Sequence, residues 1–439
     1  MIDNRFNRLL KDSGSLGREI VVELARRRLP QLGAWCLRTI AALPDNRQMS
    51  AGFRDLRYSS VGIRQWFYPR SNAAERITVY LKLAAVLHDL RYFDAAVHYA
   101  DAMLDPVYGI YDGPEEYGKG QVYYWRDCGM YMTNYTMRVP PAMFQLYDAT
   151  GQEKYRRAAL LSGEALLRFQ RENGVLCEGF MPRHPVDCSA PCDPDETADW
   201  LTDYKINSRI GWAVYAFAEL YRRTRDDRYA RALEKLSYAL YRYQYEDGSF
   251  PADLALRHYK PITPQVKNHY LGYILNGAAA ALQLAPEVPY LRQVTLKLGE
   301  YVFSHYRRSW GWPYGNVDTD CPEEEVLWHS ASADVSSGLV LLSRISGDPA
   351  FAECAAKMLT MTLLNTIDMP ENPDVDGAIP IWCRRGRGRC PPSLDGYYHF
   401  YTVLGLMQLL EESQPAADKE IFCPIPACAA ELTVPPKVF

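Results

Sequence analysis

The sequence predicts an all-α protein, an (α/α)6 toroid in which helical hairpins close into a ring with the long loops on one face. Three observations carry that expectation. First, Asp199 to Asp253 has the pattern of a hairpin. Apolar side chains spaced three and four apart run from Trp212 to about Arg223, and Thr224-Arg225-Asp226-Asp227 make a polar turn. A second helix then runs from about Tyr229 to Tyr243, with Leu233, Leu236, Leu240 and Tyr243 on one face. Second, the unit recurs: the aromatic anchors Tyr92, Tyr155, Tyr229, Tyr290 and Phe351 stand roughly 60 to 75 residues apart, the period of two helices plus a long loop. Third, short connections at 90–92, 149–153, 224–228, 284–288 and 346–349 alternate with long ones on the order of 25–35 residues, and long connections in a compact domain carry function.

Taken in order, residues 16–42 are predicted helical with an interruption at Pro30, because proline removes a backbone donor. A loop over 43–72 holds Arg64 and Trp66. Helices follow at about 72–90 and 92–103, then a loop over 105–130 with Trp125 and Asp127, then helices at about 132–149 and 153–171. The loop 172–206 is acidic and includes Asp203. Beyond the central hairpin come helices at about 268–284 and 288–305, a loop with Trp328 and His329, helices at about 331–346 and 349–366, the loop 367–396 with its arginine run Arg384 to Arg389, and a last helix at about 398–412. Residues 1–414 are expected to form one barrel domain, with the Pro-rich tail 415–439 packed against it.

In a closed ring the long loops share an end with the N-termini of the six inner helices, near 72, 132, 206, 268, 331 and 398. Those termini carry partial positive charge and free N–H groups, which suits an anionic ligand unless capping side chains satisfy them. Polar and aromatic residues gather at the same places: Arg64 and Trp66, Trp125 to Asp127, Asp203 with Arg209 and Trp212, His269-Tyr270, Trp328-His329, and Tyr398-His399. Two carboxylates stand out, Asp127 and Asp203, at the heads of neighbouring inner helices. Glycoside chemistry uses such a pair, one as proton donor and one to activate water or hold a hydroxyl. The competing reading is N-capping, for which aspartate is also favoured.

Composition narrows the class. A net charge of −4 gives no field that recommends nucleic acid as a partner. Aromatics at 13 %, with 32 Tyr and 9 Trp, fit a Tyr-rich helical core or a cleft for sugar rings, whose apolar faces suit aromatic side chains. Eleven cysteines in no framework spacing point to a reducing compartment. There is no apolar run of membrane-spanning length, and Met1 to Phe6 lacks a signal-peptide core, so a cytoplasmic monomer or homodimer without a membrane partner is expected.

Trp125-Arg126-Asp127-Cys128-Gly129-Met130-Tyr131-Met132, followed by Pro140-Pro141, Leu146, Thr150-Gly151 and Lys154-Tyr155, resembles the Trp-x-Asp…Met…Pro…Thr-Gly-x-x-Tyr segment of the six-hairpin glycosidases. The likeness is to their unsaturated glucuronyl and rhamnogalacturonyl hydrolases in particular. Ser208-Arg209-Ile210-Gly211-Trp212 is similar to their Arg-Gly-Asn-Gly-Trp segment, and Gln244 to Gly248 to their Gln-x-x-x-Gly stretch. The resemblance implies that Asp203 is the general acid/base and that Asp127 holds sugar hydroxyls. It implies hydration of the double bond of an unsaturated uronyl residue on an anionic oligosaccharide, with no metal or organic cofactor. The remaining polar and aromatic residues named above would bind substrate. Saturated uronosides are a further substrate class. The alternatives are a polysaccharide lyase using His269, Tyr270, His329, Tyr398, His399 and Arg64, a sugar epimerase with paired histidines as proton shuttles, and a non-catalytic sugar-binding or scaffold toroid. A zinc site is the weakest, with only Cys383, Cys390 and His399 near one another in sequence.

Overall fold

The computed structural model of the chain describes residues 17–38, 53–59, 62–68, 73–106, 109–114, 116–125, 130–176, 179–180, 203–204, 206–251, 253–255, 260–263, 268–305, 326–372, 376–380, 382–384 and 396–412. The tail 415–439 lies outside them, as do most of the acidic loop 172–206 and the arginine run beyond Arg384.

The helices fall close to where periodicity puts them. They are α1 (Arg18–Arg38), α2 (Ala73–Leu87), α3 (Leu90–Met103), the single turn α4 (Thr133–Thr136), α5 (Val139–Thr150), α6 (Glu153–Phe169), α7 (Ile206–Thr224) and α8 (Asp227–Tyr243), followed by α9 (Asn268–Leu284), α10 (Leu291–His305), α11 (His329–Ser346), α12 (Pro349–Leu364) and α13 (Gly396–Glu412). Helices α2, α5, α7, α9, α11 and α13 pack in sequence order, and α13 returns to α2, so the inner ring closes. Around it α3, α6, α8, α10 and α12 each back the inner helix that precedes them, and α1 fills the remaining outer position against α12 and α13. The first described helix thus completes the last hairpin.

Pro30 does not interrupt α1, contrary to the sequence expectation. The lost backbone hydrogen bond is outweighed by burial on both sides of the proline, where Leu29, Leu32, Trp35 and Cys36 are all sealed into the core.

The short turns repeat one local chemistry. The hydroxyls of Thr150, Thr224 and Ser346 each donate to the carbonyl four residues back, and each accepts the N–H two residues on. The residue after each turns left-handed: Gly151 at φ 66°, Arg225 at 58° and Gly347 at 75°. Asp89, Asp226 and Asp348 then cap the outer helices through the N–H groups of Arg91, Arg228 and Ala350. Three residues past each turn's capping position, Tyr92, Tyr155, Tyr229 and Phe351 are buried. Tyr290 is the exception. It adopts φ 64° itself and is 41 % exposed, so it is not the anchor that spacing alone made it; Leu291 behind it is fully buried instead.

The opposite turns, where outer helices exit, repeat a different device. Gln170 donates to Gly174 O and across to Ala232 O on α8, and Gln244 donates to Gly248 O and across to Val294 O on α10. Gly174 (φ 90°) and Gly248 (φ 97°) lie so close to the carbonyls of Lys235 and Lys297 that a Cβ would stand 2.2 and 2.3 Å from them. The Gln-x-x-x-Gly stretch is therefore a staple between neighbouring outer helices.

The long connections carry small antiparallel sheets where plain loops were expected. These are β1 (Phe53–Ser59) with β2 (Gly62–Tyr68); β3 (Val122–Trp125), β4 (Met130–Met132) and β5 (Gly179–Phe180); β6 (Asp203–Tyr204), β7 (Asp253–Ala255) and β8 (Lys260–Thr263); and β9 (Val326–Trp328) with β10 (Trp382–Arg384). Each strand has seven residues or fewer and each sheet two or three strands, too short to show an alternating pattern in a sequence dominated by helical periods. No helix among the described residues is long and apolar enough to cross a membrane.

Candidate active site at the mouth of the ring

The sheets stand where the chain enters the inner helices. Strand β4 leads through α4 into α5, β6 leads into α7, and β9 runs directly into α11. Asp203 lies on β6 paired with Ala255, two residues ahead of the position at which an N-cap of α7 would stand. A capping role does not fit that place. Trp125 closes β3 opposite Met130, and Asp127, two residues further on, lies outside the described residues. Arg64 and Trp66 on β2 pair with Arg57 and Asp55, and Trp328 on β9 pairs with Trp382. Arg209, His269, Tyr270 and Tyr398 occupy the first turns of α7, α9 and α13. Asp127 aside, the backbone of each of these is described and the side chain is not. The described members therefore have their backbones on the sheets and first turns attached to the inner helices.

Beneath the strands the described side chains form a layer with one contribution from each inner helix. Arg138, just before α5, is at its centre. Its guanidinium pairs with the Glu75 carboxylate of α2 and donates to the Tyr401 hydroxyl of α13, which in turn donates to Glu75 Oε1 at 2.8 Å. The rings of Tyr135, Trp212 (α7), Tyr273 (α9) and Tyr401 surround the cation, with centroids 5.6–5.8 Å away. Asp334 of α11 completes the set. Arg138 and Glu75 are buried, so both lose their hydration. A paired carboxylate and a cage of aromatic faces, each face contributing about 0.5–2 kcal/mol, offset that cost.

The layer is not internally satisfied. Both Asp334 carboxyl oxygens, Glu75 Oε2 and the Trp212 indole N–H are buried without a hydrogen-bond partner among the described residues. Burial pushes the Asp334 carboxyl well above the usual carboxylate range, with the Arg138 charge pulling the other way. Trp212, expected at the site from sequence, is thus a wall of this layer with its N–H unspent.

Two other expected contacts turn away from the axis. His329 Nδ1 bonds the Thr362 hydroxyl of α12 at 3.1 Å, and His399 Nε2 bonds Leu32 O of α1 at 3.2 Å with its ring 4.5 Å from that of Trp35. Both rings are 1 % exposed and wedged between inner and outer helices. Burial pushes each down to about 3; for His399 the Leu32 carbonyl opposes that and the Arg76 charge adds to it. Their described contacts are with the outer helices α12 and α1 rather than with the groups around Arg138. Glu75, Arg138, Tyr273 and Asp334 were not singled out from sequence. The available signal was a charge inside an apolar run, as in Ala333-Asp334-Val335 and Arg138-Val139-Pro140.

No family model matches the chain, and no curated protein matches its sequence. Solved structures match along nearly its whole length. A sugar epimerase from a ruminal bacterium is 12 % identical at a TM-score of 0.67, over 90 % of this chain and 99 % of that one. A cellobiose 2-epimerase from Bacillus thermoamylovorans gives 12 %, 0.68, 90 % and 99 %. An unsaturated glucuronyl hydrolase from Streptococcus agalactiae gives 12 %, 0.61, 94 % and 97 %. The fold is the six-hairpin ring. At this identity the likeness establishes architecture, and these six-hairpin neighbours are carbohydrate-processing enzymes of two kinds, hydrolases and epimerases.

Proposed function

We propose that the protein is a carbohydrate-active enzyme whose mouth binds an anionic oligosaccharide and hydrolyses an unsaturated uronyl residue. In this reading Asp203 gives a proton to the vinyl-ether double bond and takes one from the water that adds to it. The hemiketal so formed opens and breaks the glycosidic bond, while Asp127 holds the ring hydroxyls. The N-termini of six inner helices converge beneath, which favours the sugar carboxylate. The observation that carries the reading is the position of Asp203, on a strand at the mouth, ahead of the capping position, above a layer with unspent polar groups.

The epimerase reading has support in the epimerase neighbours, whose TM-scores of 0.67 and 0.68 exceed the 0.61 of the hydrolase. Against it, His329 and His399 are buried and bond Thr362 of α12 and Leu32 O of α1, which weakens them as the paired histidines of an epimerase. One experiment separates the readings. The protein is incubated with a mixture of saturated and unsaturated uronic oligosaccharides and with neutral disaccharides, and absorbance and product masses are followed. Hydrolysis of the unsaturated residue gives loss of the chromophore and products that together gain one water. A new isomer of unchanged mass would establish the epimerase, and a gain of chromophore the lyase.

A further inference from the structure

The hairpin repeat breaks at one place, and the break puts an aromatic side chain on the outside. In the other four hairpins the anchor aromatic is buried, and the left-handed residue is His88, Gly151, Arg225 or Gly347. In the α9–α10 turn the left-handed residue is Tyr290, a bulky side chain in a conformation that costs about 1–3 kcal/mol for non-glycine residues. What the turn gains is a surface cluster. Tyr290 lies 4.8 Å from Tyr241 with the rings 31° apart, and 5.3 Å from Tyr238. These three are 41 %, 39 % and 42 % exposed, so the rings cover one another only in part. Arg242 donates to the Tyr238 hydroxyl at 3.4 Å and sets a cation at the edge of the cluster.

We propose that Tyr238, Tyr241 and Tyr290 with Arg242 form a second carbohydrate site on the outer layer, which takes a segment of a soluble polyuronate chain. The size of the patch selects the occupant. Three tyrosines about 40 % exposed offer roughly 250 Å2, whereas a stable protein partner needs about 800 Å2 on each side. A second copy of the chain is therefore poorly served, and stacked pyranose rings are well served. The tyrosine hydroxyls supply polar edges, and the guanidinium supplies the counter-charge for a carboxylate-bearing sugar. The site would hold a segment of polymer on the outer layer, at the short turn that carries Tyr290. It rests on the reading of the protein as uronide-active only for the choice of polymer.

The test is native affinity electrophoresis of the full chain in gels containing polygalacturonate or a neutral glucan. The proteins compared are the wild type, Tyr238→Ala/Tyr241→Ala/Tyr290→Asn, and Asp203→Asn. Asparagine tolerates the left-handed conformation, and Arg242→Gln serves as a second, milder variant should the triple variant melt early. The expected result is retardation by polygalacturonate, weak retardation by the glucan, and a rise of about tenfold or more in the apparent Kd for the triple variant. Arg242→Gln falls between the two, and Asp203→Asn is retarded like the wild type. Three results overturn the site: wild-type mobility equal in both gels, retardation unchanged in both platform variants, or a platform variant that only alters apparent mass in size-exclusion chromatography. Loss of turnover in Asp203→Asn with retardation intact reports on the mouth alone, so failure of one proposal is distinguishable from failure of the other.

Discussion

The two ends of the ring are built on opposite logics. At the end with short turns, three hairpins use the same hydroxyl bridge, the same left-handed residue and, in two of them, the same aspartate cap. A half-buried Lys82–Glu411 pair at 3.2 Å joins α2 and α13, the helices where the ring closes. At the mouth nothing repeats. Each inner helix contributes a different side chain to the layer around Arg138, and several polar atoms there have no partner among the described residues. Local turn chemistry needs only its own few residues, so it can be copied from hairpin to hairpin. A layer that meets a ligand needs six different contributions from six places. The contrast is what separates holding the ring closed from acting on something inside it.

The sharpest way to break the comparison is at Asp203. Asp203→Asn is expected to lower turnover of unsaturated uronides by about 10²- to 10⁴-fold, the usual contribution of a general acid/base, with the melting temperature unchanged because the residue stands two positions ahead of the capping place of α7. Measured kcat with a melting curve on the same sample checks it. A full-rate variant would move the chemistry elsewhere in the mouth.

Next in size is the layer itself. Arg138→Met removes the cation and leaves Glu75 and the Tyr401 hydroxyl buried against each other. Breaking a buried pair by removing one partner costs about 3–5 kcal/mol. Adding Glu75→Gln to Arg138→Met should return a large part of it, because no uncompensated charge then remains. Chemical denaturation of both variants checks the pair, and equal losses in the two would mean that the aromatic packing, not the charge, matters.

How much was legible follows the same division. The hairpins could be read because Tyr92, Tyr155, Tyr229 and Phe351 sit at a fixed place in a repeated turn, and because helical stripes impose a period. Tyr290 misled, since spacing does not reveal backbone hand: the proline and glutamate of Ala285-Pro286-Glu287-Val288-Pro289 build a longer turn that displaces the aromatic. Pro30 misled because a rule about one hydrogen bond was set against packing that only the ring supplies. At the mouth, Trp212 was visible as an aromatic in a recognisable motif. Arg138 and Asp334 were not, because their meaning depends on helices roughly 60 to 260 residues away in sequence meeting at one level. His329 and His399 shared the composition expected of a site and differed only in which side of the helix they face.

Those histidines give a prediction of intermediate size with a definite sign. Each is pushed down to about 3 in the folded chain, against about 6.5 unfolded. Above pH 6.5 neither state binds the proton and stability is full. As pH falls from 6.5 towards 3 the unfolded state binds it first, and stability is lost at up to about 1.4 kcal/mol per pH unit for each histidine. His329→Gln with His399→Gln should therefore flatten the acid limb of a stability–pH curve, even where the double variant is less stable at neutral pH. Asp334 acts in the opposite sense. Its carboxyl is pushed up, so stability is full below the ordinary carboxylate value of about 3.9 and is lost as pH rises from there through the raised value of the folded chain. Asp334→Asn is expected to raise the neutral-pH melting temperature while leaving the acid limb to the histidines.

The smallest expected effect tests the copied end. Thr224→Val keeps the size of the side chain and removes the hydroxyl that donates to Leu220 O and accepts from the Asp226 N–H. Asp226→Ala removes the cap of α8 and its links to Arg228. Each should cost about 1 kcal/mol, the common range for a capping change. Because both groups hold one turn, the double variant should lose less than the sum of the singles. The matching changes Ser346→Ala and Asp348→Ala should give losses of the same order, since the hydroxyl bridge and the N–H cap are repeated there. Turnover should not move in either set. If the two turns instead gave unequal losses, or if either set slowed turnover, the short-turn end would be coupled to the mouth through the inner helices, and the ring would have to be treated as one mechanical unit.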